Sequence, residues 1–187
     1  MTNKRLKRTI ALALSILMIF SLAACGKKED PQIADPGRDQ RVVYTIFAPN
    51  SSVLAVSKIV DLFASMATNV AFKITWDSSS EMLATKIADG YECDIFIADD
   101  AACIDFLDAN ASKEANPNGN DKIVSDSRVK VFTLKDYTDE NGNTSDVNYY
   151  MAMTKSFPYT DYYDWFAEFI QSDYCDEVFD GSNGFVR

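Results

Sequence analysis

The chain has 187 residues, of which 28 are acidic and 18 basic, so its net charge at pH 7 is −10. This acidic balance argues against a nucleic acid partner, because nucleic acids are bound through a basic surface. The sequence contains no histidine, which excludes Ser-His-Asp and Cys-His catalysis and the usual histidine-containing zinc sites. We therefore predict no metal and no cofactor.

The N-terminal segment has the features of a secretory signal. Four basic residues lie within the first eight, the apolar stretch Ile10–Leu22 follows, and Leu22-Ala23-Ala24-Cys25 ends it. This ending resembles the bacterial lipobox, in which the cysteine is diacylated and becomes the first mature residue. The alternative is an uncleaved membrane helix, but the apolar run is short for a span. We predict a lipoprotein signal peptide over 1–24 and lipidation at Cys25, with palmitate-like chains anchoring the protein at the cell membrane on its extracytoplasmic face.

The mature chain would contain residues 25–187, enough for one domain with a substantial core. Loss of the signal lowers the count of basic residues from 18 to 14 against 28 acids, giving a net charge near −14. Residues 25–40 are charged and contain prolines, which is typical of a flexible tether, and the folded domain is predicted over 41–187. Cysteines 93, 103 and 175 form no disulfide framework, being odd in number. Buried free thiols are favoured, and one bridge remains open.

A strand, a sharp turn and a helix start follow the tether. Val42–Phe47 is apolar enough for a strand covered on both faces, and Ala48-Pro49-Asn50 interrupts it. Ser51 and Ser52 then occupy N-cap positions before an apolar-periodic helix that extends to Met66. Ligands bind beyond the carboxyl ends of strands in open α/β sheets, and a helix start favours a small anion. The alternative is that the serines only cap the helix.

Two more strand–helix units are predicted. Val70–Trp76 alternates as a strand, Ser78 and Glu81 have capping-box spacing, and Glu81–Ala88 forms the second helix. A third strand at Asp94–Ala98 precedes a helix at Ala101–Leu107. This order predicts that the first three strands are mutually parallel, with right-handed crossovers. The residues expected to be buried in them are Val43, Ile46, Ile74, Ile95 and Ile97.

The last part of the chain returns to the sheet. Val129–Leu134 and Val147–Thr154 could pair as a hairpin, and a helix is predicted over Thr160–Gln171. This region carries most of the aromatic residues. They either pack on the sheet, with the tyrosine hydroxyls reaching water, or form an exposed patch for a partner.

Several segments together resemble a known family. They are Phe47–Ser51, Ser79–Leu83 with Lys86, Ile87 and Gly90, Asp94–Asp99, Tyr150–Lys155 and the C-terminal tail. They look like the first lobe of periplasmic molybdate-binding proteins, the substrate-binding components of ABC transporters. The resemblance implies an α/β, three-layer domain with a mostly parallel sheet and helices on both faces, like one lobe of a type II periplasmic binding protein.

In that family, one serine hydroxyl from each of two helix starts holds the oxyanion, with backbone N–H groups beside them. The matching positions in this chain are Ser51 and Ser80, with Ser79 and Asn50 beside them. The resemblance therefore implies a molybdate- or tungstate-like oxyanion as ligand. It also implies an ABC permease or another membrane protein as partner.

Two departures from the family pattern point to an alternative. Glu81 replaces the glycine that follows the second serine, and its charge would repel an anion. Residues 109–146 number only 38, whereas a second lobe needs on the order of 100 residues. They would be a shortened remnant of that lobe. The alternative function is a lipoprotein interaction module that has lost ligand binding.

An enzyme is the third and weakest hypothesis, because the sequence shows no nucleophile–base set. The acidic pairs Asp99-Asp100 and Asp161-Asp164 are interpreted as surface charge rather than as metal ligands.

Overall fold

The computed structural model describes residues 36–37, 41–139, 141–180 and 183–187, all of which belong to one compact unit. The predicted signal peptide, Cys25 and, apart from residues 36–37, the tether lie outside the described residues. Within those residues, no helix has the length and apolar character needed to cross a lipid bilayer.

Six strands and four helices lie within the described residues, and most begin or end within a few residues of their predicted bounds. The strands are β1 (Val42–Pro49), β2 (Val70–Asp77), β3 (Ile95–Ala98), β4 (Val129–Thr138), β5 (Thr144–Met153) and β6 (Phe185–Val186). The helices are α1 (Val53–Met66), α2 (Ser80–Ala88), α3 (Ala101–Asp105) and α4 (Thr160–Gln171). Short 3₁₀ turns lie at Asn50–Ser52 and Asp173–Cys175.

All six strands form one mixed sheet in the order β2-β1-β3-β5-β4-β6. β1 pairs in parallel with both β2 and β3, as the strand–helix alternation predicts. β5 then runs antiparallel to β3, and β4 antiparallel to β5 and β6. The α/β class is therefore confirmed, and the sheet is mixed rather than mostly parallel. The parallel part of the sheet places the carboxyl ends of β1, β2 and β3 at one edge.

Apolar cores lie on both faces of this sheet. Because side chains alternate along a strand, Tyr44 and Ile46 of β1 pack in the core that includes α1 and α4. Phe47 points the other way and packs with Leu83 of α2 and Ile104 of α3. The sheet is thus the central of three layers, as expected from its apolar strands.

The burial of individual strand residues is only partly as predicted. Ile46, Ile95 and Ile97 are buried, but Val43 is 51% exposed and Ile74 is half-buried. Val43 lies on the same face of β1 as Phe47, near the opposite end of the strand. The two helices on that face cover Phe47 but leave Val43 open. Ile74 is half-buried because β2 is an edge strand. The prediction that both are buried is therefore wrong.

The aromatic residues of the last segment face the core, so the exposed-patch hypothesis is wrong. Tyr162, Phe166 and Phe169 of α4 are fully buried, and Phe63 of α1 contacts Phe166 and Phe169 with ring-centroid distances of 5.1 and 4.9 Å. Several edge-to-face ring pairs link α1 to α4, a geometry that adds to the stabilisation from buried area. The aromatic cluster therefore holds one helical layer on the sheet.

The segment 109–146 contributes to the same sheet. After a polar loop, β4 begins at Val129 and pairs with β5, which confirms the predicted hairpin. The register shifts between Lys130 and Phe132 and again between Leu134 and Tyr137, where the pairing is irregular. This segment therefore extends the first sheet, and its origin as a remnant of a second lobe stays a prediction.

The three described cysteines are free and buried, as the odd count favours. Burial raises the pKa of the Cys103 and Cys175 thiols to about 12 and shifts that of Cys93 in the same direction. Such thiols remain protonated at neutral pH, and the thiolate is the reactive form. They act as small apolar core residues.

Asp94 provides a prediction about pH. Its carboxylate accepts a 2.7 Å hydrogen bond from the Thr45 backbone N–H, but burial raises its pKa above 3.8. A raised folded-state pKa means that stability is lost as the pH rises through that value. We expect the unfolding free energy of Asp94→Asn, which keeps an acceptor for Thr45, to rise relative to that of wild type as the pH increases from 4 to 7. Urea unfolding of both proteins at pH 4 and pH 7 measures the difference in unfolding free energy. The prediction is contradicted if the variant becomes less stable relative to wild type as the pH rises.

Candidate functional site

The first predicted helix start begins with a 3₁₀ turn. β1 ends at Pro49, the turn spans Asn50–Ser52, and α1 begins at Val53. Ser52 is buried, and its hydroxyl donates to the Pro49 carbonyl at 2.7 Å instead of capping the helix. Ser51 is half-buried, whereas Asn50 is exposed. The turn therefore leaves Ser51 as the serine of this pair whose hydroxyl is available to a neighbouring element.

The second helix start differs from the prediction by one residue. Ser79, not Ser78, is the N-cap of α2, and its hydroxyl accepts from the Met82 N–H at 3.3 Å. The Ser78 hydroxyl lies 3.3 Å from Asp77, so the predicted capping box with Glu81 is wrong. Ser80 is the first residue of the helix and is 2% exposed. Capping thus occupies Ser79 and leaves the buried Ser80 hydroxyl for another partner.

Ser51 and Ser80 converge on one carboxylate, that of Asp99. Ser51 Oγ donates to Asp99 Oδ2 at 3.3 Å, and Ser80 Oγ donates to Asp99 Oδ1 at 2.5 Å. The Asp99 backbone N–H donates in return to Ser80 Oγ at 3.0 Å. The two serines predicted to hold an anion therefore lie together and already hold one, supplied by the chain itself.

The interpretation of Asp99 as surface charge is wrong. Asp99 is half-buried and directly follows β3, at the sheet edge where β1 and β2 also end. Its position after a buried strand was the signal that could have identified it. The neighbouring Asp100 is exposed, and it caps α3 by accepting from the Ala102 N–H at 2.9 Å. The two adjacent carboxylates thus have different functions.

Tyr149 is a second residue of the site that the sequence did not single out. It is fully buried on β5, and its hydroxyl has no hydrogen-bond partner within the described residues. Burial has the largest effect and raises the pKa of the Tyr149 hydroxyl to about 12. The Asp99 carboxylate also raises this pKa, whereas the Ser51 hydroxyl lowers it. The phenol therefore lies beside the Ser51–Asp99 contact as an unused donor.

The surroundings of the site are acidic. Glu81 lies in the first turn of α2, beside Ser80 in sequence, and together with Asp100 it lines a groove of about 290 Å³ between α2 and α3. The other lining residues are Ala84, Thr85, Ala102, Cys103 and Phe106. Both carboxylates oppose a second negative charge near the helix start. Across residues 41–139, 141–180 and 183–187, no group of three or more Cys, Asp or Glu side chains is arranged to hold a metal ion.

Comparisons with known proteins identify the fold. The chain matches the substrate binding domain assigned to a molybdenum ABC transporter of Clostridium difficile, with a TM-score of 0.58 and 15% identity, over 78% of this chain and 98% of the other. It also matches a periplasmic molybdate-binding protein of Azotobacter vinelandii, with a TM-score of 0.57 and 9% identity, over 77% and 99%. No family model and no curated protein matches the sequence. The domain therefore has the fold of a solute-binding protein, and these neighbours are binding proteins rather than enzymes.

Proposed function

We propose that this chain is an extracytoplasmic, lipid-anchored solute-binding module that takes a small oxyanion of the molybdate class and presents it to an ABC permease. The observation that carries the proposal is the convergence of Ser51 and Ser80, from two separate helix starts, on a single carboxylate. Among the described residues, the contacts of the site involve hydroxyl donors and no cationic side chain. Such a site binds anions through neutral hydrogen bonds.

The contacts of the Asp99 carboxylate support this proposal. Each hydroxyl reaches a different oxygen of one anionic group, so their spacing suits a small anion with two or more oxygens. The start of α2 adds the positive end of a helix dipole, which also favours negative charge. The fold shared with two molybdate-binding proteins supports the same ligand class.

The proposed affinity is low for two reasons. A site without a second lobe is open to water, so each hydrogen bond to the ligand contributes near the lower end of roughly 0.5–1.5 kcal/mol. Glu81 and Asp99 add repulsion. Three or four such bonds correspond to a Kd of about millimolar or weaker.

Calorimetric titration of the full-length chain in detergent with molybdate, tungstate and sulfate tests the proposal. We expect weak binding that disappears in the double variant Ser51→Ala, Ser80→Ala. Ser65→Ala is the matched control, because the Ser65 hydroxyl is exposed and donates only to the Leu62 carbonyl of its own helix. Binding that survives the double substitution would place the anion elsewhere. Micromolar affinity in wild type would contradict the open-site argument, and no binding to any variant would favour an interaction module.

A further inference from the structure

We propose that Asp99 is a built-in competitor of the ligand: its carboxylate closes the Ser51–Ser80 site, and an external oxyanion binds by displacing it and engaging the Tyr149 hydroxyl as a third donor. This inference rests on the proposed function and names the residues that regulate the same site. It follows from the two hydrogen bonds to Asp99 and from the unpartnered, fully buried Tyr149 hydroxyl.

The geometry allows Asp99 to leave. The Asp99 side chain is half-buried, so its carboxylate can rotate toward solvent and vacate the space between the two serine hydroxyls. The Ser51 contact is long, at 3.3 Å, and the bond from the Asp99 backbone N–H to Ser80 Oγ does not depend on the carboxylate. Displacement therefore breaks the two hydroxyl–carboxylate bonds while the backbone of the β3–α3 connection keeps its position.

Tyr149 explains how an external anion could replace what is lost. The two oxygens of Asp99 already accept from Ser51 and Ser80, and the Tyr149 hydroxyl has no hydrogen-bond partner in the part of the chain that the structure describes. Ala98 pairs with Tyr150 across β3 and β5, so continuing the antiparallel register sets Tyr149 opposite Asp99. A tetrahedral oxyanion has four acceptor oxygens, more than a carboxylate can offer. It could accept from all three hydroxyls together.

The Tyr149 ring is held in place by its neighbours. It packs against Phe132, with ring centroids 4.8 Å apart, and against Phe185 at 6.1 Å. Because the ring is fully buried and packed on two sides, its hydroxyl is already fixed, and ligand binding costs no further side-chain conformational entropy there. The donor is therefore preorganised. Leaving a buried hydroxyl without a partner is unfavourable, and ligand binding would relieve that cost.

The first experiment compares Asp99→Ala with Asp100→Asn by calorimetric titration of the full-length chain in detergent with sodium molybdate. Both variants remove one negative charge at adjacent positions, but only Asp99 contacts the serines, and asparagine preserves the α3 cap. We expect Asp99→Ala to bind molybdate at least tenfold more tightly than wild type. The affinity of Asp100→Asn should change less than threefold.

A second variant isolates the Tyr149 hydroxyl. Tyr149→Phe in the Asp99→Ala background keeps the packed ring and removes only the unpartnered oxygen. We expect the molybdate affinity to fall about tenfold while the Tm without ligand stays the same or rises. A merely structural function of the hydroxyl would instead lower the ligand-free Tm.

Ligand-dependent Tm provides an independent measurement, because a ligand that binds only the folded state raises Tm with its concentration. Millimolar molybdate should raise the Tm of Asp99→Ala more than that of wild type. If Asp99→Ala does not fold, Asp99→Asn keeps the side-chain shape without the charge and should still bind more tightly than wild type.

The outcomes separate this inference from the proposed function. The inference alone would be overturned if wild type binds molybdate weakly through the serines but neither Asp99 variant gains more affinity than Asp100→Asn does. Unchanged affinity on removing the Tyr149 hydroxyl would overturn the third-donor assignment. If neither wild type nor the Asp99 variants bind molybdate, the proposed function fails and the inference fails with it.

Discussion

Replacing Phe63 with alanine should lower the unfolding free energy by about 3–5 kcal/mol, the usual cost of removing a fully buried phenylalanine. Phe63 lies on α1 and is 0% exposed. Its ring contacts Trp165, Phe166 and Phe169 of α4 at centroid distances of 4.6, 5.1 and 4.9 Å. The substitution therefore opens a cavity between α1 and α4. Because folded domains are stable by only about 5–15 kcal/mol, this one change could remove much of the total.

Leu54→Ala is the matched control for this experiment. Leu54 lies on the same helix but is 61% exposed, so its truncation should change the unfolding free energy by less than about 0.5 kcal/mol. Urea unfolding followed by circular dichroism compares the two variants directly. A loss of under 1 kcal/mol for Phe63→Ala would show that the aromatic cluster does not hold the helical layer to the sheet.

The longer elements could be predicted because each has a strong local signal, whereas β6 and the two 3₁₀ turns are too short to have one. β1 is a run of β-branched and aromatic residues, and α4 has apolar residues at helical spacing. Exposure of Val43 could not be predicted in the same way. An apolar run shows that a strand is suited to burial, but the length of the helix that covers it is a tertiary property.

The candidate site could be predicted to a similar extent. The resemblance to molybdate-binding proteins implies Ser51 and Ser80, and both follow predicted strands that end at one edge of a parallel sheet. The structure brings their hydroxyls to the same group. Three consecutive serines precede or begin α2, and the sequence does not show which one caps the helix. The choice depends on the backbone conformation at that point, which any of the three could adopt. The convergence on Asp99 was not predicted, since it requires the relative positions of three connections that are distant in sequence.

Tyr149 illustrates a different limit. In the sequence it is one of several aromatic residues in an apolar segment, and its burial agrees with that pattern. The unpartnered hydroxyl is visible only after every neighbouring donor and acceptor has been placed. Buried tyrosine hydroxyls usually find a partner, so an exception beside Ser51 and Asp99 points to function rather than to packing alone.

Replacing Cys25 with serine should abolish acylation and either release the protein from the membrane fraction or leave an unprocessed precursor. The prediction follows from the sequence Leu22-Ala23-Ala24-Cys25 and from the physics of lipid anchoring. Each buried methylene contributes about 0.8 kcal/mol, and a single acyl chain gives only reversible binding, so stable anchoring requires more than one chain on the cysteine.

Incorporation of labelled palmitate followed by membrane fractionation measures this effect. Wild type should carry label in the membrane fraction, and Cys25→Ser should carry none. Cys175→Ser makes the same chemical change at a buried thiol far from the motif and should keep both the label and the membrane association. A wild-type protein found unacylated in the medium would contradict the lipoprotein prediction. In that case the proposed delivery of an anion to a membrane permease would have to occur from solution, where a millimolar site captures little ligand.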